Sequence, residues 1–175
     1  MTGSSAFDGV MERTSRGGAI RFERRLPFPV AAVWDAITNP ERLADWWLPS
    51  GADVSIDLRP GGAMVFTGRG DDPSTVTATV ITVDAPVLFE HTHIVPGSTM
   101  RWQLEAADGG CVLRVTQFVD DVDAAIGNCW IVGLHTSLAR LEPILIGSPT
   151  AWDPILFAAA QIAYSARGAA APTAT

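Results

Sequence analysis

Residues 26–49 read LPFPVAAVWDAITNPERLADWWLP, and this stretch decides the fold. Its apolar residues recur at helical spacing, which predicts a helix with one buried face. That face consists of Val30, Val33, Trp34 and Ile37. The Asn39-Pro40 pair ends the helix and starts a short second one, because proline disfavours a helical residue before it and suits the first helical turn. The segment contains no nucleophile motif and no phosphate-binding loop, so it indicates an architecture rather than a chemistry.

Strand-like sequence surrounds this stretch. Residues 19–26 alternate between apolar and polar side chains, which predicts a half-buried strand before the helices. After the helices, β-rich runs are separated by the turn sequences RPGG, DAP, VPGS and ADGG. These connections are short enough for antiparallel hairpins. The predicted strands cover residues 54–58, 64–66, 75–83, 87–94, 99–106 and 111–119.

Two helical segments follow the strands. Residues 121–146 carry an apolar stripe of helical period and are predicted to form one long helix, which Pro143 kinks late or ends early. Residues 153–166 begin with Asp153 as an N-cap and Pro154 in the first turn. This second helix is apolar on nearly every side, so it needs burial against its own domain or against a partner.

The composition divides the chain into four parts. Residues 1–18 are polar and rich in Gly and Ser, which predicts a flexible N-terminal tail. Residues 19–148 form the predicted domain, and residues 149–167 form a C-terminal helical extension. Residues 168–175 are rich in Ala, Pro and Thr and are predicted to be disordered.

The 175 residues are enough for one domain with a sizeable core. A net charge of −7 and scattered arginines argue against nucleic-acid binding, which needs a concentrated basic surface. No apolar run reaches the ~18 residues that cross a bilayer, so membrane insertion is not expected. Cys111 and Cys129 make no disulfide framework, and the first 18 residues lack the apolar core of a secretory signal. The expectation is a cytoplasmic protein with two buried, inert thiols.

The order of elements predicts an α+β fold. A strand is followed by two short helices, a long antiparallel meander and a long C-terminal helix. The helix of residues 121–146 is the only element long enough to cover one face of a curved sheet. A sheet wrapped around one helix leaves space between the two, and ligands bind in such spaces.

Five blocks, in this order along the chain, carry a resemblance to a known family. They are LPFPVAAVWDAITNPERLADWW, DLRPGGAMVFT, TVDAPVLFEHTH, MRWQLEAADGGCVLRVTQ and NCWIVGLHTSLARL. Over residues 19–146 the chain resembles the START-like superfamily, also called SRPBCC. Within it, the chain is similar to the activator of heat-shock-protein-90 ATPase homologue group. The resemblance implies a helix-grip fold, with a seven-stranded antiparallel sheet around a long C-terminal helix and two small helices closing one end.

The resemblance also implies a range of functions. Members bind lipids, hormones or polyketides, or act as cyclases, hydrolases or co-chaperone domains, and their ligands usually lie between sheet and helix. The namesake of the group has a separate N-terminal domain that grips the chaperone. This chain has no room for that domain, so a co-chaperone role is not the leading expectation. Residues 149–167 lie outside the domain core, and some bacterial members have a similar Trp-Asp-Pro extension.

Eight residues are predicted to line the cavity, because periodicity and the fold turn them inwards. Aromatic and apolar side chains would form the walls, while His93 and Gln117, together with Glu90, would supply orienting polarity. A plain core role for the aromatic residues is the alternative. The predicted ligand-binding residues are Trp47, Met64, Phe66, His93, Trp102, Gln117, Trp130 and His135.

Catalysis and metal binding have weaker support in the sequence. His91 and His93 point to the same face of a strand, as a metal pair would, but pocket-lining or edge positions explain them equally well. No Gly-x-Ser-x-Gly motif is present. Glu90 and His93 are the candidates for a general base. No cofactor and no metal are expected.

The sequence therefore favours a domain that binds a small hydrophobic or amphipathic ligand in the cavity. One alternative is a cyclase-like or hydrolase-like enzyme that uses the same cavity. The other alternative is a protein-interaction module, either co-chaperone-like or a homodimer built on residues 153–166.

Overall fold

Eight antiparallel strands form one sheet in the computed structural model, which describes residues 8–69, 74–93 and 95–172. The strands are β1 Val10–Thr14, β2 Gly17–Leu26, β3 Ala52–Ile56, β4 Ala63–Gly68, β5 Thr75–Asp84, β6 Leu88–Thr92, β7 Ser98–Ala107 and β8 Gly110–Val119. Their order across the sheet is β1-β2-β8-β7-β6-β5-β4-β3. The hairpins predicted between the last four strands are present, with β5, β6, β7 and β8 paired in sequence.

Six helices accompany the sheet in the described residues. They are α1 Val30–Thr38, α2 Pro40–Leu43, α3 Val122–Gly127, α4 Trp130–Leu138, α5 Leu141–Leu145 and α6 Pro154–Ser165. The local signals behave as predicted: Asn39 Oδ1 accepts the Glu41 amide at 3.0 Å to start α2, and the Asp153 side chain caps α6. The fold class is confirmed as α+β, with an antiparallel sheet and C-terminal helices consistent with a helix-grip fold. No helix of the described ranges is both long and apolar enough to span a membrane.

The main core lies between one face of the sheet and the helices packed on it. Phe22, Leu113 and Val115 from the sheet belong to the same buried cluster as Ile37 of α1 and Ile131 of α4. His135 of α4 packs on Phe22 of β2, and Ser137 near the end of α4 bonds to the Trp47 carbonyl in the loop that follows α2. The geometry of that end decides where the cavity forms.

The prediction of a flexible tail over residues 1–18 is wrong for its second half. Residues 10–14 form β1, an edge strand that pairs with β2 and raises the strand count to eight. Gly17, at φ 113°, permits the tight turn between the two strands. Gly9 packs so closely on the Phe22 ring that a Cβ would lie 2.4 Å from it. Backbone pairing with β2 orders this segment, and amino-acid composition gives no sign of such pairing. Residues 1–7 lie outside the described residues.

The single long helix predicted over residues 121–146 is also a wrong prediction. The chain forms three shorter helices there, with interruptions at Asn128-Cys129 and at Ala139-Arg140. Cys129 adopts a left-handed backbone conformation, φ 56° and ψ 38°, which few residues other than glycine tolerate. The apolar stripe continues across the breaks, which is why periodicity alone indicated one helix.

The predicted disorder of residues 168–175 is contradicted as far as residue 172. Gly168, at φ 68°, lets the chain reverse after α6. Ala169 and Ala170 are then buried, and the Ala171 amide donates to the Ile126 carbonyl at 2.9 Å. Residues 173–175 lie outside the described residues.

Candidate functional site

A cavity of about 210 Å³ lies between the sheet, α4, the loop after α2 and the C-terminal extension. The loop after α2 and the sheet supply Trp47, Leu48, Pro49, His93, Val95 and Gln117. The start of α4 and its approach supply Asn128, Cys129, Trp130, Gly133, Leu134 and Ser137. The extension adds Trp152 and Phe157. Most of this lining is apolar or aromatic, and none of these fourteen residues is charged at neutral pH.

Gly133 leaves open the helical side of the cavity. It lies on the second turn of α4, and a Cβ built on it would have no atom within 4 Å. A glycine inside a helix costs about 1 kcal/mol relative to alanine, so its presence here is unfavourable for the helix itself. The consequence is space next to the aromatic side chains.

Trp47 forms part of the cavity wall, and Trp46 packs behind it in the core. The indole Nε1 of Trp46 donates to the Ala36 carbonyl at 2.9 Å, which fixes Trp46 in the core. Trp47 packs edge-on against Trp46 and Trp102, with ring centroids 5.5 and 5.3 Å apart. The Ser137 hydroxyl of α4 donates to the Trp47 carbonyl at 3.0 Å, so the wall is tied to the helix.

Arg140 holds in place the loop that carries Trp47. Its guanidinium is almost fully buried and donates to the carbonyls of Trp46, Leu48, Thr150 and, by a short contact, Asp45. Burial lowers the pKa of Arg140 below its usual value, although Asp45 opposes this effect. Arg140, which lies just after α4, thus links the end of that helix to the loop after α2 and to the segment before α6. Both segments border the cavity.

His93 presents a hydrogen-bond donor at the cavity. Its Nδ1 accepts the Val95 amide at 3.2 Å, which places the ring proton on Nε2. Its ring lies edge-on to Trp47, with centroids 6.0 Å apart. Burial, and then the neighbouring His91, lower the pKa of His93 to about 4, so the ring is neutral at pH 7. Among the described residues, none accepts a hydrogen bond from Nε2.

Gln117 presents an acceptor at the same cavity. It is 2% exposed, and its Nε2 donates to the Ser98 hydroxyl at 3.3 Å. The Ser98 hydroxyl itself donates to the Val95 carbonyl at 3.2 Å, so it must accept from Gln117. This fixes the orientation of the amide. In the part of the chain that the structure describes, no group donates to Oε1 of Gln117.

His91 belongs to the core rather than to the cavity. Its Nε2 accepts the indole proton of Trp102 at 3.0 Å, and its Nδ1 donates to the Thr92 carbonyl at 2.8 Å. Burial lowers the pKa of His91 to about 4, against the opposing effect of the Thr92 carbonyl. Both ring nitrogens are engaged, which leaves no lone pair for a metal.

Glu90 lies apart from the cavity lining. Its carboxylate pairs with Arg101 at 2.6 Å on the neighbouring strand. Burial acts to raise the pKa of Glu90, but hydrogen bonds from Arg101 and Thr82 outweigh it and hold the pKa below its usual value. An ionised, paired carboxylate outside the cavity is poorly suited to act as a base within it.

His135 lies deeper, between the sheet and α6. Its Nδ1 lies 3.0 Å from the Tyr164 hydroxyl, which accepts the Gly9 amide at 3.0 Å. Its ring packs on Phe22, with centroids 5.9 Å apart. The interaction with Tyr164 joins α4 to α6. His135 is not among the residues that line the cavity.

The model of one protein family matches residues 27–145, and its description is "Activator of Hsp90 ATPase homolog 1-like protein". The chain belongs to this family. A search of curated protein sequences returned no match.

Solved structures of bacterial proteins share the fold of this family member. Protein NE0264 from Nitrosomonas europaea is 22% identical, with 74% of this chain and 94% of that chain covered and a TM-score of 0.66. CalU16 from Micromonospora echinospora is 20% identical, with coverages of 90% and 95% and a TM-score of 0.68. EF2215 from Enterococcus faecalis, a conserved protein of unknown function, is 17% identical, with coverages of 93% and 91% and a TM-score of 0.72. At these identities the likeness establishes the fold alone.

The structure brings together half of the predicted ligand-binding residues. Trp47, His93, Gln117 and Trp130 line the cavity. The other four are buried elsewhere and are absent from the lining: Met64, Phe66, Trp102 and His135. They point inwards as periodicity indicates, but the core fills the space in front of them.

Sequence reasoning missed the contribution of the C-terminal extension. Trp152 and Phe157 lie beyond residue 145, where the family match ends, and their rings contact each other with centroids 5.4 Å apart. The tryptophan in the Trp-Asp-Pro sequence was the available signal, because a tryptophan next to a helix start usually packs on something. Cys129 and Gly133 carried no such signal. No group of three or more potential metal ligands occurs within the described ranges.

Proposed function

We propose that this family member binds a small hydrophobic or amphipathic molecule in the cavity between the sheet and α4. The family and its fold neighbours support a ligand-binding or interaction domain. The observation that carries the finer proposal is a largely apolar cavity of about 210 Å³ whose lining includes the polar side chains of His93 and Gln117. Ligand pockets combine apolar walls and a few placed polar groups in this way.

A purely structural explanation accounts poorly for the cavity. A side chain at position 133 would fill part of the space without a clash. Glycine there is disfavoured by helix propensity, and ligand binding supplies a reason for it.

The polar groups favour binding over proton abstraction. The lone pair of His93 resides on Nδ1, where it accepts the Val95 amide, while Nε2 carries a proton. A base would need its free lone pair directed at the substrate. Glu90, the other candidate base, is paired with Arg101 outside the cavity. The enzyme alternative thus has less support than binding.

The decisive test fills the cavity from the helix. We expect Gly133→Leu to abolish 1:1 binding of 2-naphthol or 1-octanol, measured by isothermal titration calorimetry, because the leucine would occupy the ligand's place. Gly127→Leu is the matched control, since Gly127 is exposed and its Cβ would also meet no atom within 4 Å. The control should bind as the wild type does. Absence of binding of both probes to the wild type, or equal binding by Gly133→Leu, would contradict the proposal.

A second function is favoured by one observation on α6. Ile155 and Ile162, two turns apart, are 79% and 61% exposed, whereas Ala160 and Tyr164 on the opposite face are buried. Exposed isoleucines aligned along one helix face mark an interaction surface. We propose a homodimer through this face as the second candidate, with ligand binding in each subunit.

We also propose that the protein acts in the cytoplasm and is of a bacterial type. Cys111 and Cys129 are both unpaired and buried, which suits a reducing compartment such as the cytoplasm. The solved structures that share the fold come from bacteria, which supports a bacterial type of protein. The acidic charge of −7 makes nucleic acid an unsuitable partner.

A further inference from the structure

We propose, on the basis of the ligand-binding function above, that the ligand is a neutral, flat molecule of one or two rings that carries a hydroxyl or amide group. Four properties of the cavity support this: its size, its aromatic walls, the polar groups of His93 and Gln117, and its lack of charge. The inference names a chemical class that neither the family nor the fold specifies.

Size and walls limit the shape of the ligand. An engineered apolar cavity of about 150 Å³ accommodates benzene. The present cavity, at about 210 Å³, therefore suits one ring or two fused rings. Trp47, Trp130, Trp152 and Phe157 contribute four aromatic side chains to its lining. Aromatic rings pack favourably on other rings, which favours a flat ligand over a flexible chain.

The amide oxygen of Gln117 requires a donor. Nε2 of Gln117 donates to the Ser98 hydroxyl, which donates in turn to the Val95 carbonyl. Oε1 of Gln117 is therefore left without a donor among the described residues. Leaving a buried acceptor unsatisfied costs about 1–3 kcal/mol, so a ligand O–H or N–H that reaches it gains that amount in selectivity. The side chain is 2% exposed, but Oε1 is open to the cavity, so a ligand without a donor would displace water there and leave the oxygen unsatisfied.

His93 requires an acceptor in the same cavity. Its proton lies on Nε2, because Nδ1 accepts the Val95 amide. A hydroxyl group can donate and accept, and an amide group carries one donor and one acceptor. Either group can donate to Oε1 of Gln117 and accept from Nε2 of His93.

The absence of charge selects a neutral ligand. The fourteen lining residues include no Arg, Lys, Asp or Glu. Moving an ion from water into an apolar site without a partner costs several kcal/mol. Carboxylates and amines of the same size should therefore be rejected.

Three probes that share the naphthalene ring test the class: 2-naphthol, 2-fluoronaphthalene and 2-naphthoate, titrated calorimetrically at pH 7. We expect 2-naphthol to bind the wild type about tenfold more tightly than 2-fluoronaphthalene, and 2-naphthoate not to bind. Gln117→Met should reduce the preference for 2-naphthol to within about threefold, while 2-fluoronaphthalene binds as before. Gln103→Met, an exposed position outside the cavity, is the matched control and should behave as the wild type.

The outcomes separate this inference from the function on which it rests. If 2-fluoronaphthalene or 1-octanol binds as tightly as 2-naphthol, and Gly133→Leu blocks that binding, the cavity binds ligands but the inferred class is wrong. If 2-naphthoate binds best, the inferred neutrality is wrong. If none of the probes binds and Gly133→Leu changes nothing, both the class and the proposed function fail. A preference for 2-naphthol that persists unchanged in Gln117→Met also overturns the role of Gln117.

Discussion

Arg140 shows how one side chain can organise the walls of a cavity without lining it. Its guanidinium satisfies four backbone carbonyls, from the loop after α2 and from the segment before α6. Arginine suits this role because it offers five donors in a rigid planar arrangement and stays charged. The carbonyls would otherwise be buried without partners, and both segments border the cavity.

Replacing Arg140 should therefore destabilise the fold. We expect Arg140→Met to lower the free energy of unfolding by about 3 kcal/mol, because it leaves several buried carbonyls unsatisfied. Arg140→Lys should recover only part of this loss, since one ammonium group cannot reach carbonyls on two segments. Urea unfolding followed by tryptophan fluorescence measures the change. A loss below about 1 kcal/mol for Arg140→Met would show that water or a local shift replaces these bonds.

At the residue scale, some features of the site were predictable and others were not. The inward direction of Trp47 and Gln117 follows from local periodicity, because neighbouring residues on the same element repeat the pattern. The burial of Arg140 does not follow, because an arginine near the end of an apolar helix ordinarily faces solvent. Only the approach of a distant loop, more than ninety residues away in sequence, turns it into a buried anchor.

At the element scale, the interrupted helix determines where the cavity lies. The left-handed Cys129 separates α3 from α4. Trp130 and Gly133 of α4 then line the cavity. Sequence reasoning predicts the strands well because alternation is a local property of each strand. For residues 121–146 the sequence predicts one helix, because the apolar stripe indicates only which side chains are buried. The stripe continues unchanged where one helix ends and the next begins. The α6 helix was predicted correctly from its capping residues, but its packing against α4 through Tyr164 depends on tertiary contacts.

The outer face of α6 makes a testable prediction about assembly. We expect wild-type protein to have twice the 18.6 kDa chain mass in multi-angle light scattering, and the double substitution Ile155→Gln and Ile162→Gln to have the single-chain mass. Removing these two apolar side chains removes the driving force for pairing while leaving the buried face of α6 intact. Point substitutions are preferable to deleting α6, because Ala160 and Tyr164 belong to the core.

The control for this prediction lies on the sheet. Ile81 is 45% exposed on β5, and Ile81→Gln should leave the mass unchanged. A wild-type protein that has the single-chain mass at every concentration tested would exclude the dimer. Ligand binding, which depends on the cavity, would be unaffected by that result.

At the scale of the whole molecule, the three histidines make stability depend on pH. His91, His93 and His135 all have pKa values lowered to about 4, with burial as the largest cause. In the unfolded chain each would titrate near 6.5. His91 and His135 are also hydrogen bonded as neutral rings inside the core, to Trp102 and Tyr164 respectively. Protonating either one would disturb contacts between elements that are distant in sequence.

The sign of the effect follows from linkage between proton binding and folding. Between pH 6.5 and pH 4 the unfolded chain binds more protons than the folded protein, so the stability contributed by each neutral histidine is complete above pH 6.5 and is lost as the pH falls towards 4. For His91, the shift from 6.5 to about 4 corresponds to roughly 3 kcal/mol. We expect the free energy of unfolding, measured by urea titration, to fall steadily over this range. His91→Gln, whose amide can still accept from Trp102, should be less stable at pH 7 but should lose less stability on acidification. Carboxylates titrate identically in both proteins, so an equal pH dependence in the two would show that His91 does not contribute.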